Sequence, residues 1–170
     1  LDGITRFSCF LQGLAFVPVK SSSLSSRTCG GDRERSSSAA RASSAIGCRF
    51  LDADDFHPQA NVDKMASGVP LTDEDRWPWL DIIVNELAQI LARGEHGVLA
   101  CSALKEAYRR RLQRAGDVRI VYLKGDRATI AQRLASRQHK YMPPTLLPSQ
   151  FAALEEPADA LAVDIREPVA

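Results

Sequence analysis

No stretch of this 170-residue sequence approaches the roughly 18 consecutive apolar residues that a membrane helix needs, so nothing in it reads as membrane-embedded. A surplus of one sign of charge is also missing. The net charge of +1 gives no global field to recruit nucleic acid or an anionic membrane, and neither is expected as a partner. Cysteine occurs only at Cys9, Cys29, Cys48 and Cys101, without CxxC spacing or a tight framework. Metal and disulfide readings therefore lack support, and reduced thiols are expected. No internal repeat is visible.

What remains is the composition of an ordinary soluble globular domain, 45% hydrophobic and 25% charged, with room for one domain and one sizeable core. The chain falls into two textures. Residues 20–46, "KSSSLSSRTCGGDRERSSSAARASSAI", are mostly Ser, Arg, Ala and Gly and cannot build a core. A Ser- and Arg-rich, acid-poor leader has the texture of a transit peptide, although Asp32 and Glu34 dilute it, and a plain disordered tail is the alternative. Residues 1–47 are accordingly read as a disordered leader or a misassigned stretch, and residues 48–170 as the folded domain. A cytoplasmic location is expected, with plastid or mitochondrion as the alternative that the leader suggests.

From Cys48 onward, apolar runs alternate with amphipathic stretches across short turns, which is the α/β pattern. "CRFLDA" reads as a strand, "PQANVDKMA" as a short helix opening at Pro58, and 75–92 as a long helix with Pro78 in its first turn. The apolar residues Leu80, Ile83, Leu87, Ile90 and Leu91 share one face of that helix and should meet a sheet. "GVLAC" and "VRIVYL" read as further strands, with a basic helix over 104–114 between them. Asp126 should cap a helix over 127–136, a loop and helix follow, and "LAVDI" reads as a last buried strand. Helices between strands predict parallel pairing, with the functional edge at the strands' C-terminal ends.

Chemistry-bearing residues gather where that edge should be. Asp52, Asp54 and Asp55 crowd the end of the first clear strand, and such carboxylates keep water unless a cation or a hydroxyl-rich substrate offsets their charge. A bare acidic surface turn is the bland alternative. Ser102 and Lys105 open a helix after the second strand, where free N–H groups favour an anion. "YRRRLQR" spreads its arginines over several faces, so at most Arg109 or a neighbour should turn inward. Asp75 and Arg76 stand at a helix entrance beside Trp77 and Trp79. A helix cap and a surface ion pair are the bland readings of that pair, whereas Arg76 can instead grip a carboxylate in bidentate fashion. Arg133 and Arg137, one helical turn apart ahead of a loop closed by two prolines, suit a lid over a transferring phosphate.

The order of these blocks is more specific than any one of them. "HP..N..KM..G.PL.D.DR.PWL", "CSALK..YR" and "MP..LL.SQF..LE.P", spread over residues 48–168, closely resemble the gluconokinase family, small P-loop kinases related in architecture to shikimate kinase and adenylate kinase. The resemblance implies a P-loop-kinase-like parallel sheet flanked by helices, and phosphoryl transfer from ATP with Mg²⁺ to D-gluconate, giving 6-phospho-D-gluconate. By that resemblance Asp54 would bind and help deprotonate the acceptor hydroxyl, Asp52 would serve the magnesium shell, and Arg76 would hold the gluconate carboxylate. His57, Lys105 and Arg109 would line the same pocket, and Arg133 and Arg137 would belong to the lid and bind the nucleotide phosphates. A homodimer is also implied.

One block is missing. The family opens with a central strand and a GxxGxGKS/T loop, and the corresponding stretch here, "CGGDRERSS", contains no Gly-Lys-Ser. "LAFVPV", residues 14–19, is the only substitute for the strand, and Pro18 argues against a central place. The central strand and phosphate loop are therefore expected to be missing or degenerate. Two functional classes follow: a gluconokinase impaired in ATP binding, or a noncatalytic relative that binds a sugar acid or a protein.

Overall fold

The computed structural model describes residues 14–16, 48–135 and 146–166. The strands β1 (Leu14–Phe16), β2 (Arg49–Asp52), β3 (Gly97–Ala100), β4 (Arg119–Lys124) and β5 (Leu161–Asp164) form one sheet in the order β2-β3-β1-β4-β5. β2 pairs with β3, and β4 with β5, in parallel, as the interleaved helices predict. Those helices are α1 (Gln59–Ala66), α2 (Asp73–Ala92), α3 (Glu106–Leu112), α4 (Arg127–Ala135) and α5 (Leu147–Ala153).

The centre of the sheet runs the other way. β1 lies between β3 and β4 and is antiparallel to both, with Leu14 opposite Ala100 and Val121, and Phe16 opposite Val98 and Arg119. Ladders on both sides satisfy its backbone groups, so "LAF" does take a central place. The strand ends at Phe16, and Pro18 lies outside the described residues. β1 therefore has its last residue, Phe16, at the edge where the other four strands begin, opposite the edge where they end.

The two-residue period of the strands sorts their side chains. Leu51 and Leu99 join Trp79, Leu80, Ile83, Leu87 and Ile90 of α2 and Tyr108 and Leu112 of α3 in the main core, while Phe50, Val98, Ala100, Val121 and Leu123 cluster separately. The five α2 residues are at most 1% exposed, and each such burial stabilises by about 1.5–3 kcal/mol. α2 starts two residues before the expected Asp75 because Thr72 takes the cap. The Thr72 hydroxyl accepts from the Asp75 N–H while the Asp75 carboxylate accepts from the Thr72 N–H, a capping box. Pro78 consequently sits in the second turn, not the first. α2 stops at Gly94, whose φ of +67° suits glycine and lets the Glu95 N–H reach the Ile90 carbonyl.

The last strand departs from expectation. Among the described residues β5 is an edge strand paired with β4 alone, and Leu161 and Val163 are 67% and 42% exposed, so it is not buried. Among the described residues no helix is long and apolar enough to cross a membrane.

Candidate active site

β2 delivers its last residue, Asp52, to the sheet edge, where a 3-10 turn over Ala53–Phe56 begins. Asp52 is buried and its Oδ1 accepts from the Asp54 N–H at 3.1 Å, which holds the turn in shape. Trp79, from the buried face of α2, fixes it from below by donating its indole N–H to the Ala53 carbonyl at 2.8 Å. His57 stacks on the same indole, with ring centres 4.3 Å apart and planes within 11°. Its Nε2 lies 3.9 Å from Asp54 Oδ1, and its Nδ1 lies 3.4 Å from Asn61 Nδ2. Burial, and next the positive charge of Arg76, pull the His57 pKa down to about 4, so the ring is neutral at neutral pH.

Arg76 is the most consequential residue of this group. It is only 9% exposed, yet among the described residues it forms no hydrogen bond or ion pair, and its guanidinium carbon lies 5.6 Å from the centre of the Tyr108 ring. A buried cation without an anionic partner is costly. Its field reaches the Cys101 thiol, as do those of Asp54 and Asp52. These three charges therefore meet around the end of β3, where burial above all pushes Cys101 up to about 12 and leaves it an inert thiol.

A second group forms the adjoining wall. Lys105 donates to both oxygens of Asp73 at 2.7 and 2.9 Å, and the Tyr108 hydroxyl donates to Oδ1 at 2.5 Å. The bonds from Lys105 and then Tyr108 hold the Asp73 carboxyl below its usual range. Trp77 packs edge-on against Tyr108, and Arg111 lies over Trp77 while gripping Asp81 through two nitrogens. Asp75, which closes the cap of α2, also accepts from Lys64 at 2.5 Å. That bond first, and the Thr72 backbone next, hold it to about 2.

The structure thus brings Asp52, Asp54, His57 and Arg76 together and links Lys105 to them through Asp73 and Tyr108. Arg109 is buried and committed to backbone: Nη1 donates to the Ala103 and Leu104 carbonyls, and Nη2 to that of Glu155, bracing the turn after β3 against the segment before β5. Ser102 is buried just past β3. Arg133 donates to the Ile165 carbonyl at the end of β5, and Asp55 is exposed. Arg137 lies outside the described residues. Sequence reasoning gave no role to Asn61, Asp73 or Tyr108. All three stand inside the quoted blocks, and Asp73, two residues before Asp75, lies ahead of the expected start of the helix.

The donor side fits less well. A triphosphate needs consecutive backbone N–H groups and a loop lysine. No Gly-Lys-Ser/Thr exists in the sequence, and β1 points its end away from the edge that carries Asp52 and Ser102. The described residues therefore supply no triphosphate cradle. Nor do they contain a cluster of three or more metal-ligating side chains. Mg²⁺ needs only one or two carboxylates when phosphates complete its shell, and the buried Asp52 at the end of β2 is a carboxylate suited to that smaller part.

Comparison with known proteins places this geometry in context. No family model matches the chain. It is 40% identical over 130 residues to a thermosensitive gluconokinase of Escherichia coli, covering 74% of this chain and 70% of that protein. A gluconokinase structure from Sinorhizobium meliloti superposes with a TM-score of 0.68 at 38% identity, over 76% of this chain and 75% of that one. An unliganded sugar kinase from Janibacter superposes with a TM-score of 0.71 at 37% identity, over 76% and 78%. At 40% identity over more than two thirds of each chain, and on a fold shared with both solved structures, the chain belongs to the gluconokinase family.

Proposed function

We propose that this site takes D-gluconate as a phosphoryl acceptor, the reaction being ATP-dependent formation of 6-phospho-D-gluconate. The observation that carries this reading is Arg76, a buried guanidinium without an anionic partner among the described residues, which a sugar-acid carboxylate would satisfy in bidentate fashion. A polyol extending from that anchor toward the 3-10 turn would bring a hydroxyl to Asp54, which accepts its hydrogen bond and then its proton. His57, neutral, serves the same hydroxyl. Lys105, held by Asp73, and Tyr108 shape the wall, and Arg109 keeps the turn after β3 in place. Arg133 and Arg137 would offset charge on the transferring group, and Asp52 would serve Mg²⁺, which when bound neutralises charge on the phosphates.

A second reading, sugar-acid binding without transfer, is favoured by one observation: the reversed direction of the central strand β1. Incubating the purified chain with D-gluconate, ATP and Mg²⁺ and measuring 6-phosphogluconate by mass spectrometry tests the first reading. Product that disappears in Arg76→Met supports it. Calorimetric binding of D-gluconate without product selects the second, and no binding at all removes both.

A further inference from the structure

Asn61 touches two things at once, and their chemistry fixes the state of His57. One atom of its side-chain amide lies 2.8 Å from the backbone carbonyl oxygen of Asp75. A carbonyl only accepts, so that atom must be the NH₂ nitrogen. The same nitrogen lies 3.4 Å from His57 Nδ1. An amide NH₂ only donates, so Nδ1 must present its lone pair, and a neutral imidazole then carries its proton on Nε2. Nε2 is the nitrogen that faces Asp54 Oδ1 at 3.9 Å. The stacking on Trp79 fixes the plane of the ring, and within that plane a ring turned over would set a C–H against the Asn61 NH₂ and lose the contact.

We infer that Asn61 is a positioning residue that locks His57 as the Nε2–H tautomer, so that His57 and Asp54 together present one donor and one acceptor to a single hydroxyl group. The consequence depends on the acceptor-site reading above, while the tautomer itself does not. The 3.9 Å separation is too long for a direct hydrogen bond. A hydroxyl oxygen between the two accepts from Nε2–H and donates its own hydrogen to the carboxylate, which is the polarity needed for its proton to leave toward Asp54. With the opposite tautomer both groups would be acceptors, and a hydroxyl, having one hydrogen, could satisfy only one of them. The pair therefore reads an alcohol and disfavours a carbonyl or carboxylate end, neither of which has a hydrogen for Asp54.

Long-range proton–nitrogen correlation spectra of the full chain labelled with ¹⁵N-histidine test this directly, with the His57 signals identified by their loss in His57→Gln. The expected pattern at pH 7.5 is a protonated Nε2 and a bare Nδ1. A protonated Nδ1, or an imidazolium, overturns the inference whether or not D-gluconate binds. Asn61→Asp, which offers Nδ1 an acceptor instead of a donor, should move the proton to Nδ1. Calorimetry supplies the second readout. His57→Met should weaken D-gluconate binding by about tenfold, the loss of one hydrogen bond. His57→Gln, whose amide N–H reaches the place of Nε2, should recover most of that loss, and equal losses in the two variants would count against the donor role. If the wild-type chain fails to bind D-gluconate, the acceptor-site reading falls while the tautomer remains to be read from the spectra.

Discussion

Arg76 faces the ring of Tyr108 at 5.6 Å, and Tyr108 in turn directs its hydroxyl to Asp73, so the guanidinium borders a carboxylate's network without joining it. The ring face offers weak attraction, far short of what desolvating a guanidinium costs.

Arg76→Met should therefore separate stability from binding. D-Gluconate affinity should fall by about 30-fold or more, the order of 2 kcal/mol or above expected when one partner of a buried charge contact is lost. The melting temperature of the free protein should stay level or rise, because an uncompensated charge has been removed. Calorimetric titration together with thermal unfolding measures both, and a large drop in melting temperature would mean that Arg76 is structural.

His57 predicts a pH dependence of stability. Its pKa is lowered from 6.5 when unfolded to about 4 when folded, so between these values the unfolded chain binds more protons. Stability is then fully present above pH 6.5 and declines as pH falls toward about 4, by on the order of 3 kcal/mol. Urea midpoints followed by circular dichroism from pH 7.5 to 4.5 should show this slope in the wild type and a flatter one in His57→Gln. Asp75, held to about 2, acts in a separate and more acidic window.

Arg109→Met should destabilise by about 3 kcal/mol, since three carbonyls on two segments lose a charged donor while the buried stem is kept. Arg109→Lys should not restore the loss, because an ammonium cannot span the same fork. Urea unfolding at pH 7.5 decides the matter. A change under about 1 kcal/mol would show that water replaces the brace.

Trp79→Phe keeps most of the apolar bulk and removes the indole N–H from the Ala53 carbonyl. A loss of about 1–3 kcal/mol is expected for the carbonyl left without its donor. D-Gluconate binding should weaken as well, since the turn bearing Asp54 loses its support. Wild-type affinity in this variant would detach the turn's shape from the site.

Much of this was legible in the residues. β2, β3 and β4 follow from continuous apolar runs, and α2 from the stripe Leu80, Ile83, Leu87 and Ile90, because periodicity is a local property of the chain. The start of α2 lies two residues ahead of the expected Asp75 because Thr72, Asp73 and Asp75 are all plausible caps, and only the reciprocal bonds of Thr72 and Asp75 decide among them. The exposure of β5 was not legible, since "LAVDI" reads the same at an edge as in the middle of a sheet. The direction of β1 is likewise set by long-range pairing with β3 and β4, about which a three-residue run says nothing. At the site, the convergence of Asp52, Asp54 and Arg76 follows from parallel topology, whereas the tie between Asp73, Lys105 and Tyr108 depends on how α2 and α3 pack.

The stacking of His57 on Trp79 has an optical consequence. Indole emission responds to the charge and polarity of whatever lies against the ring, and the only other tryptophan in the chain, Trp77, packs against Tyr108 instead. Placing phenylalanine at position 77 would leave a single fluorophore in contact with the imidazole. Its intensity would then follow, without any added label, both the titration of that imidazole and the arrival of a ligand beside it.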